Sequence, residues 1–89
     1  MSQMKRRIRI ALDMALEATQ GRLHRTTNGC PCVLYEHGGI TYSFVFIDKY
    51  QRFKVFSHFG AGDEQESIKN IKPTSLFYVV DRIQRGVFR

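Results

Sequence analysis

Apolar residues recur at Met4, Ile8, Ala11, Leu12 and Ala15, a spacing that places them on one stripe of a helix. The pattern predicts a helix from about Gln3 to Gln20, with Gly21 as its stop signal. Arg6, Arg9, Asp13 and Glu17 fall on the far side, and Arg9 and Asp13 are spaced to pair. Ile10 lies off the stripe and is a candidate contact residue.

The stretch "RLHRTTNG" interrupts the periodicity and reads as a polar, partly basic loop that contains Arg22 and Arg25. Three runs of strand character follow, at Cys32–His37, Ile40–Ile47 and Phe53–Phe59, rich in Val, Ile, Tyr and Phe. Gly38 and Gly39 suit a two-residue hairpin turn with positive φ at both positions. That turn sets His37 opposite Ile40, Tyr35 opposite Tyr42 and Val33 opposite Phe44. Asp48 to Arg52 forms a looser second turn. With Asp48 opposite Phe53, Phe46 meets Val55 and Tyr42 meets Phe59.

Alternate strand residues share a face. One face then carries Val33, Tyr35, Ile40, Tyr42, Phe44, Phe46, Val55 and Phe59. A surface so rich in large rings must leave water, so helices are expected to cover it. The other face carries Cys32, Leu34, Thr41, Ser43, Val45, Ile47, Lys54, Phe56 and His58. It is mixed, with an apolar strip at Leu34, Val45 and Phe56.

After the glycines at 60 and 62, Asp63 can cap a short helix, "EQESIKNI", with its acids first and its lysine near the end. Pro73 ends it. Thr74 or Ser75 can cap a last helix to about Arg85, with Leu76, Val80, Ile83 and Val87 on one side and Gly86 as the stop. "LFYVV" also has strand character, but the helical spacing runs on through Ile83. The expected fold is α+β in a single small domain, residues 1–89. It comprises an N-terminal helix, a three-stranded antiparallel meander, then one short and one longer C-terminal helix packed on one face of the sheet.

Composition agrees with a folded domain: 89 residues, 43% hydrophobic and 25% charged. No apolar run approaches the roughly 18 residues of a membrane span, so no membrane partner is expected. Asp13 and Glu17 break the apolar run after "KRRIR", which argues against an export signal or a mitochondrial presequence. The net charge changes the picture most. It is +6, from 14 Lys and Arg against 8 Asp and Glu, and it favours an anionic partner.

The chemistry-bearing residues are few. "NGCPCVLYEHGG" places Cys30 and Cys32 one residue apart. Zinc prefers wider cysteine spacing, and parity puts His37 on the opposite face, leaving His24 and His58 as further ligands. A disulfide across one residue is strained. Two free thiols beside a strand-starting proline are the simpler reading, and they fit a reducing, cytoplasmic setting. His58 with Asp48 or Glu36 can be drawn as the base of a cysteine nucleophile, but nothing in the spacing requires it. No Walker loop, dinucleotide fingerprint or serine elbow is present. The expectation is a binding protein, not an enzyme, with no catalytic residue, no metal and no cofactor.

Lys5, Arg6, Arg7 and Arg9 crowd the first turns of the first helix, where the helix dipole is already positive. Cations kept at that end have a reason if they contact something negative. Lys49, Arg52 and Lys54 surround the second hairpin turn, with Tyr50 able to stack on a base or sugar. Arg82, Arg85 and Arg89 suit a helix C-terminus without a further role. In order of elements, "GGITYSFVFIDKYQRFKVFSHFGAGDEQES" resembles the arm-binding domains of tyrosine recombinases, over about half of the chain. The helix, three strands and helix also resemble double-stranded RNA-binding domains, without the lysine-rich start of their last helix. Both resemblances imply nucleic acid as the partner.

The expected function is nucleic-acid binding through Lys5, Arg6, Arg7, Arg9, Arg22, Arg25, Lys49, Tyr50, Arg52 and Lys54. The alternative is a protein-interaction module, or an inhibitor of the kind phages and plasmids encode, docking on an acidic or nucleic-acid-handling protein. Ile10, Leu34, Val45 and Phe56 would then form the interface, and a second copy of the chain is one such partner.

Overall fold

A computed structural model describes residues 5–26, 29–58 and 65–86. Expectations resting on Met4, Phe59, Gly60, Gly62, Asp63, Val87 and Arg89 lie outside the described residues. The elements in chain order are α1 (Arg6–Thr19), β1 (Arg22–Arg25), β2 (Pro31–His37), β3 (Ile40–Ile47), β4 (Arg52–His58), β5 (Gln65–Ile71) and α2 (Leu76–Gln84). The five strands form one antiparallel sheet in the order β1-β2-β3-β4-β5. The expected three-stranded meander is therefore the centre of a wider sheet, and two segments read otherwise are its edges.

The helix α1 buries Ala11, Leu12 and Ala15 of the expected stripe, with Ile8 half-buried, and also Thr19, which the stripe did not include. It ends at Gln20, the left-handed residue, whose N–H bonds to Leu16 O. Gly21 is thus not the left-handed stop expected of it. Its role is close approach, since a Cβ there would sit 2.0 Å from the backbone oxygen of Leu34. That approach lets the chain turn directly into β1 beside β2.

Strand β1 stands where a loop is expected: it lacks apolar alternation, and all four of its residues are exposed. It is held by backbone pairing to β2, with Arg22 opposite Leu34 and His24 opposite Cys32. Its return turn is closed by Thr26, whose N–H donates to Cys30 O at 2.9 Å and whose Oγ1 accepts from Cys30 N at 3.1 Å.

The β2–β3 hairpin has the register that its glycines dictate: His37 opposite Ile40, Tyr35 opposite Tyr42, Val33 opposite Phe44. Gly38 and Gly39 have φ of 60° and 78°. The second turn is a 3-10 turn at Asp48–Tyr50, closed by Gln51 at φ 52°. It sits one residue earlier than expected, with Ile47 opposite Arg52, so Phe46 meets Phe53, Phe44 meets Val55 and Tyr42 meets Ser57. The register moves by two positions, an even number, and the described side chains keep their expected faces.

Strand β5 replaces the expected short helix. It pairs with β4, Phe53 opposite Ile71 and Lys54 opposite Asn70, with a bulge beside Val55 and Phe56. Ile71 is buried next to Phe53 in the core. Without β5, β4 would present an unpaired edge with Phe53 and Val55 beside it, and burying that edge outweighs the weak helical preference of a polar segment. Pro73 opens a 3-10 turn, and α2 then buries Leu76, Val79, Val80 and Ile83. The helical reading of "LFYVV" holds. Gly86, at φ 72°, donates to Ile83 O and closes the helix.

Both helices cover the ring-rich face. Phe44, Phe53, Leu12, Leu76, Val33 and Val55 are fully buried there, each contributing roughly 1.5–3 kcal/mol of transfer free energy. No described helix packs on the opposite face. The sheet thus has a side covered by the helices, a side on which no described helix packs, and one end where α1 begins; on that second, open side Cys32, Ser43 and Val45 are buried at 1%, 7% and 7% exposure, while Leu34, Lys54 and Phe56 are half-buried.

Candidate nucleic-acid interface

At the end of β3, Asp48 accepts from Arg7 Nε at 2.7 Å, Arg7 Nη2 at 3.0 Å and Lys5 Nζ at 3.4 Å. Gln51 Nε2 donates to the same carboxylate at 2.9 Å. The hydrogen bond from Arg7, with help from Gln51 and Lys5, holds the Asp48 carboxyl at a pKa of about 2 and raises that of the Arg7 guanidinium. One carboxylate thereby ties the start of α1 to the second hairpin turn. It also supplies negative charge at a helix N-terminus whose first turn has none of its own.

This changes the meaning of the amino-terminal cluster. Lys5 and Arg7 have an internal partner in Asp48, and Arg9 approaches Asp13 at 3.7 Å on the exposed helix face. Among the described residues Arg6 has no carboxylate partner. The mismatch with the dipole is largely answered by a tertiary contact between residues 41 apart in sequence, so it does not by itself call for an external anion.

The same contact brings the second basic group alongside the first. Lys49 lies over the ring of Tyr50 at 5.5 Å, and both are exposed. Arg52 Nη1 reaches Tyr50 O and Gln51 O at 3.4 and 3.3 Å. Arg25, opposite Pro31, lies at the same end of the sheet and donates to Gly29 O at 2.8 Å. The exposed Lys72 follows Ile71, which pairs with Phe53 at that end. Lys72 is an addition to the residues expected from sequence. Arg22 and Lys54 instead project from the open face of the sheet, by register with Leu34 and Val45.

The expected apolar interface is only partly on offer. Leu34 and Phe56 are half-buried on the open face, and Ile10 is 51% exposed on α1. Val45 is only 7% exposed, so it is a buried wall residue and not a contact. Phe77 and Tyr78, both exposed on α2, were missed. Their signal was legible: they fall off the stripe of Leu76, Val80 and Ile83. Tyr78 is already engaged by Arg82, with the guanidinium 5.5 Å from the ring and a hydrogen bond of 3.2 Å.

Cys30 is exposed, Cys32 is buried, and both are free thiols; burial pushes the Cys32 thiol pKa up. Among the described residues no group of His, Cys, Asp and Glu could hold a metal ion. His37 stacks with Tyr35, while His58 Nε2 and Ser43 Oγ share a hydrogen bond of 2.8 Å. Neither acid named for His58 is beside it: Asp48 is held by Arg7, and Glu36 lies two strands away across Thr41.

No family model, curated protein or solved structure matches the chain. The five-stranded sheet also departs from the three-stranded order on which the resemblance to recombinase arm-binding and double-stranded RNA-binding domains rests. Among the described residues no helix is long and apolar enough to cross a membrane.

Proposed function

We infer that the protein is a non-catalytic nucleic-acid-binding module whose contact region is the basic end of the sheet. One observation carries this reading: Arg7 and Asp48, 41 residues apart in sequence, meet in the fold and bring the cations of α1 and of the β3–β4 turn together. Lys5, Arg6, Arg7, Arg9, Arg25, Lys49, Arg52 and Lys72 share that end with only Asp48 and Asp13 as described carboxylates. A phosphate backbone is the polyanion that such a spread of Lys and Arg neutralises best. Exposed Tyr50 adds a ring for a base or sugar. A reducing, cytoplasmic setting suits the two free thiols.

The test is a salt series on full-length protein with duplex and single-stranded oligonucleotides. Lys5 and Arg7 are poor probes, because their loss also unties Asp48. Arg6, Lys49 and Arg52 changed together to Ala should lower the slope of log K against log salt by roughly two to three, at about 0.7–0.9 per phosphate contact. Binding with no salt dependence, or an unchanged slope, would remove the reading.

A second reading has its own observation: Ile10, Phe77 and Tyr78 expose large apolar surface on the two helices. It is a docking module for an acidic or nucleic-acid-handling protein. Loss of partner capture on Phe77→Ala, with oligonucleotide affinity unchanged, would favour it.

A further inference from the structure

The open face of the sheet has an ordered layout. Register sets Arg22, Leu34, Ser43 and Phe56 in one cross-strand row, and His24, Cys32, Val45, Lys54 and Asn70 in the next. Glu36, Thr41 and His58 form the row on one side, and Ile47 with Arg52 the row on the other. Phe56 is half-buried, and Ser43 directly beside it on β3 is small, so no bulky neighbour walls the ring on that side. Lys54 Nζ stands over the ring at 5.7 Å. Among the described residues Glu36 is the one carboxylate on this face, against Arg22, Arg52 and Lys54. Arg52 belongs both to this face and to the basic end, so the two surfaces are continuous.

We propose that this open face binds single-stranded nucleic acid, with Phe56 stacking on a base and Lys54, Arg52 and Arg22 meeting the phosphates. The inference rests on the nucleic-acid reading above and specifies its substrate class. A sheet face with a half-exposed ring and flanking cations matches unpaired bases, whose π-faces are free. Bases in a duplex are already stacked on one another and hide those faces. Lys54 has a flexible stem, so it can leave the ring for a phosphate as a base arrives.

The chain contains no tryptophan, so Phe56→Trp places a single reporter at the proposed stacking position. The probe is a labelled single strand of about 12 nucleotides and a duplex of equal length. The tryptophan should be quenched by the single strand. Phe56→Ala should weaken single-strand binding about tenfold while changing duplex binding by less than about twofold. Far-UV circular dichroism checks the fold of both variants. If the strand binds but the tryptophan is not quenched, or Phe56→Ala binds as wild type does, the sheet site is overturned and the basic-end reading survives. If neither oligonucleotide binds at low salt, both fall. A dimer on a sizing column that Phe56→Ala dissolves would make this face an interface between copies, and would also overturn the proposal.

Discussion

Asp48 is the residue on which the basic end turns. Its carboxyl titrates at about 2 in the folded chain, against 3.8 for an ordinary Asp, chiefly because Arg7 hydrogen-bonds to its charged form. A depressed carboxylate pKa stabilises the fold wherever the unfolded group is ionised, above pH 3.8, and that contribution disappears as pH falls towards 2. Thermal melts should therefore show the wild type losing Tm across that window faster than Asp48→Asn; parallel curves would contradict the clamp. The same variant should bind an anionic strand more tightly at neutral pH, since it frees Lys5 and Arg7 and removes a negative charge. Weaker binding would mean that holding the two cations in place matters more than their net charge. Gly21 is a second decisive position. Gly21→Ala puts a methyl against the backbone of Leu34 and should cost at least about 1–3 kcal/mol in urea unfolding. Neither role was legible in sequence. A helix-ending glycine has an ordinary explanation close at hand, and an ion pair between residues 41 apart leaves no local pattern.

The elements divide by what holds them. Strands β2, β3 and β4 and helices α1 and α2 bury their own apolar faces, so their periodicity announced them, and the diglycine turn fixed which rings point inward. Strands β1 and β5 are edges. Each is paired to one neighbour; β1 is exposed throughout, so "RLHR" carries no apolar alternation, and "QESIKN" is mostly polar as a sequence. In β5 the one strong clue is Ile71, which reads equally well as the last turn of a helix. Ile71→Ala tests the strand assignment, because that side chain closes the core beside Phe53. Urea unfolding should show a loss of about 2–4 kcal/mol, where a surface helix position would give under about 0.5 kcal/mol.

For the molecule as a whole, two layers leave three kinds of surface: a helical side with exposed Ile10, Phe77 and Tyr78, an open sheet side around Phe56, and the basic end that joins α1 to the sheet. The excess charge of +6 was plain from composition, and the basic groups were visible one by one. Their gathering at one end was not, because it depends on the direction in which α1 crosses the sheet and on the Asp48 contact. An amide-resolved NMR titration of the full chain with a short single-stranded oligonucleotide tests that gathering most directly. Shifts are expected in the first turns of α1, from Lys49 to Phe56 and at Arg22, with α2 silent. Shifts confined to Phe77 and Tyr78, or none at low salt, would contradict it.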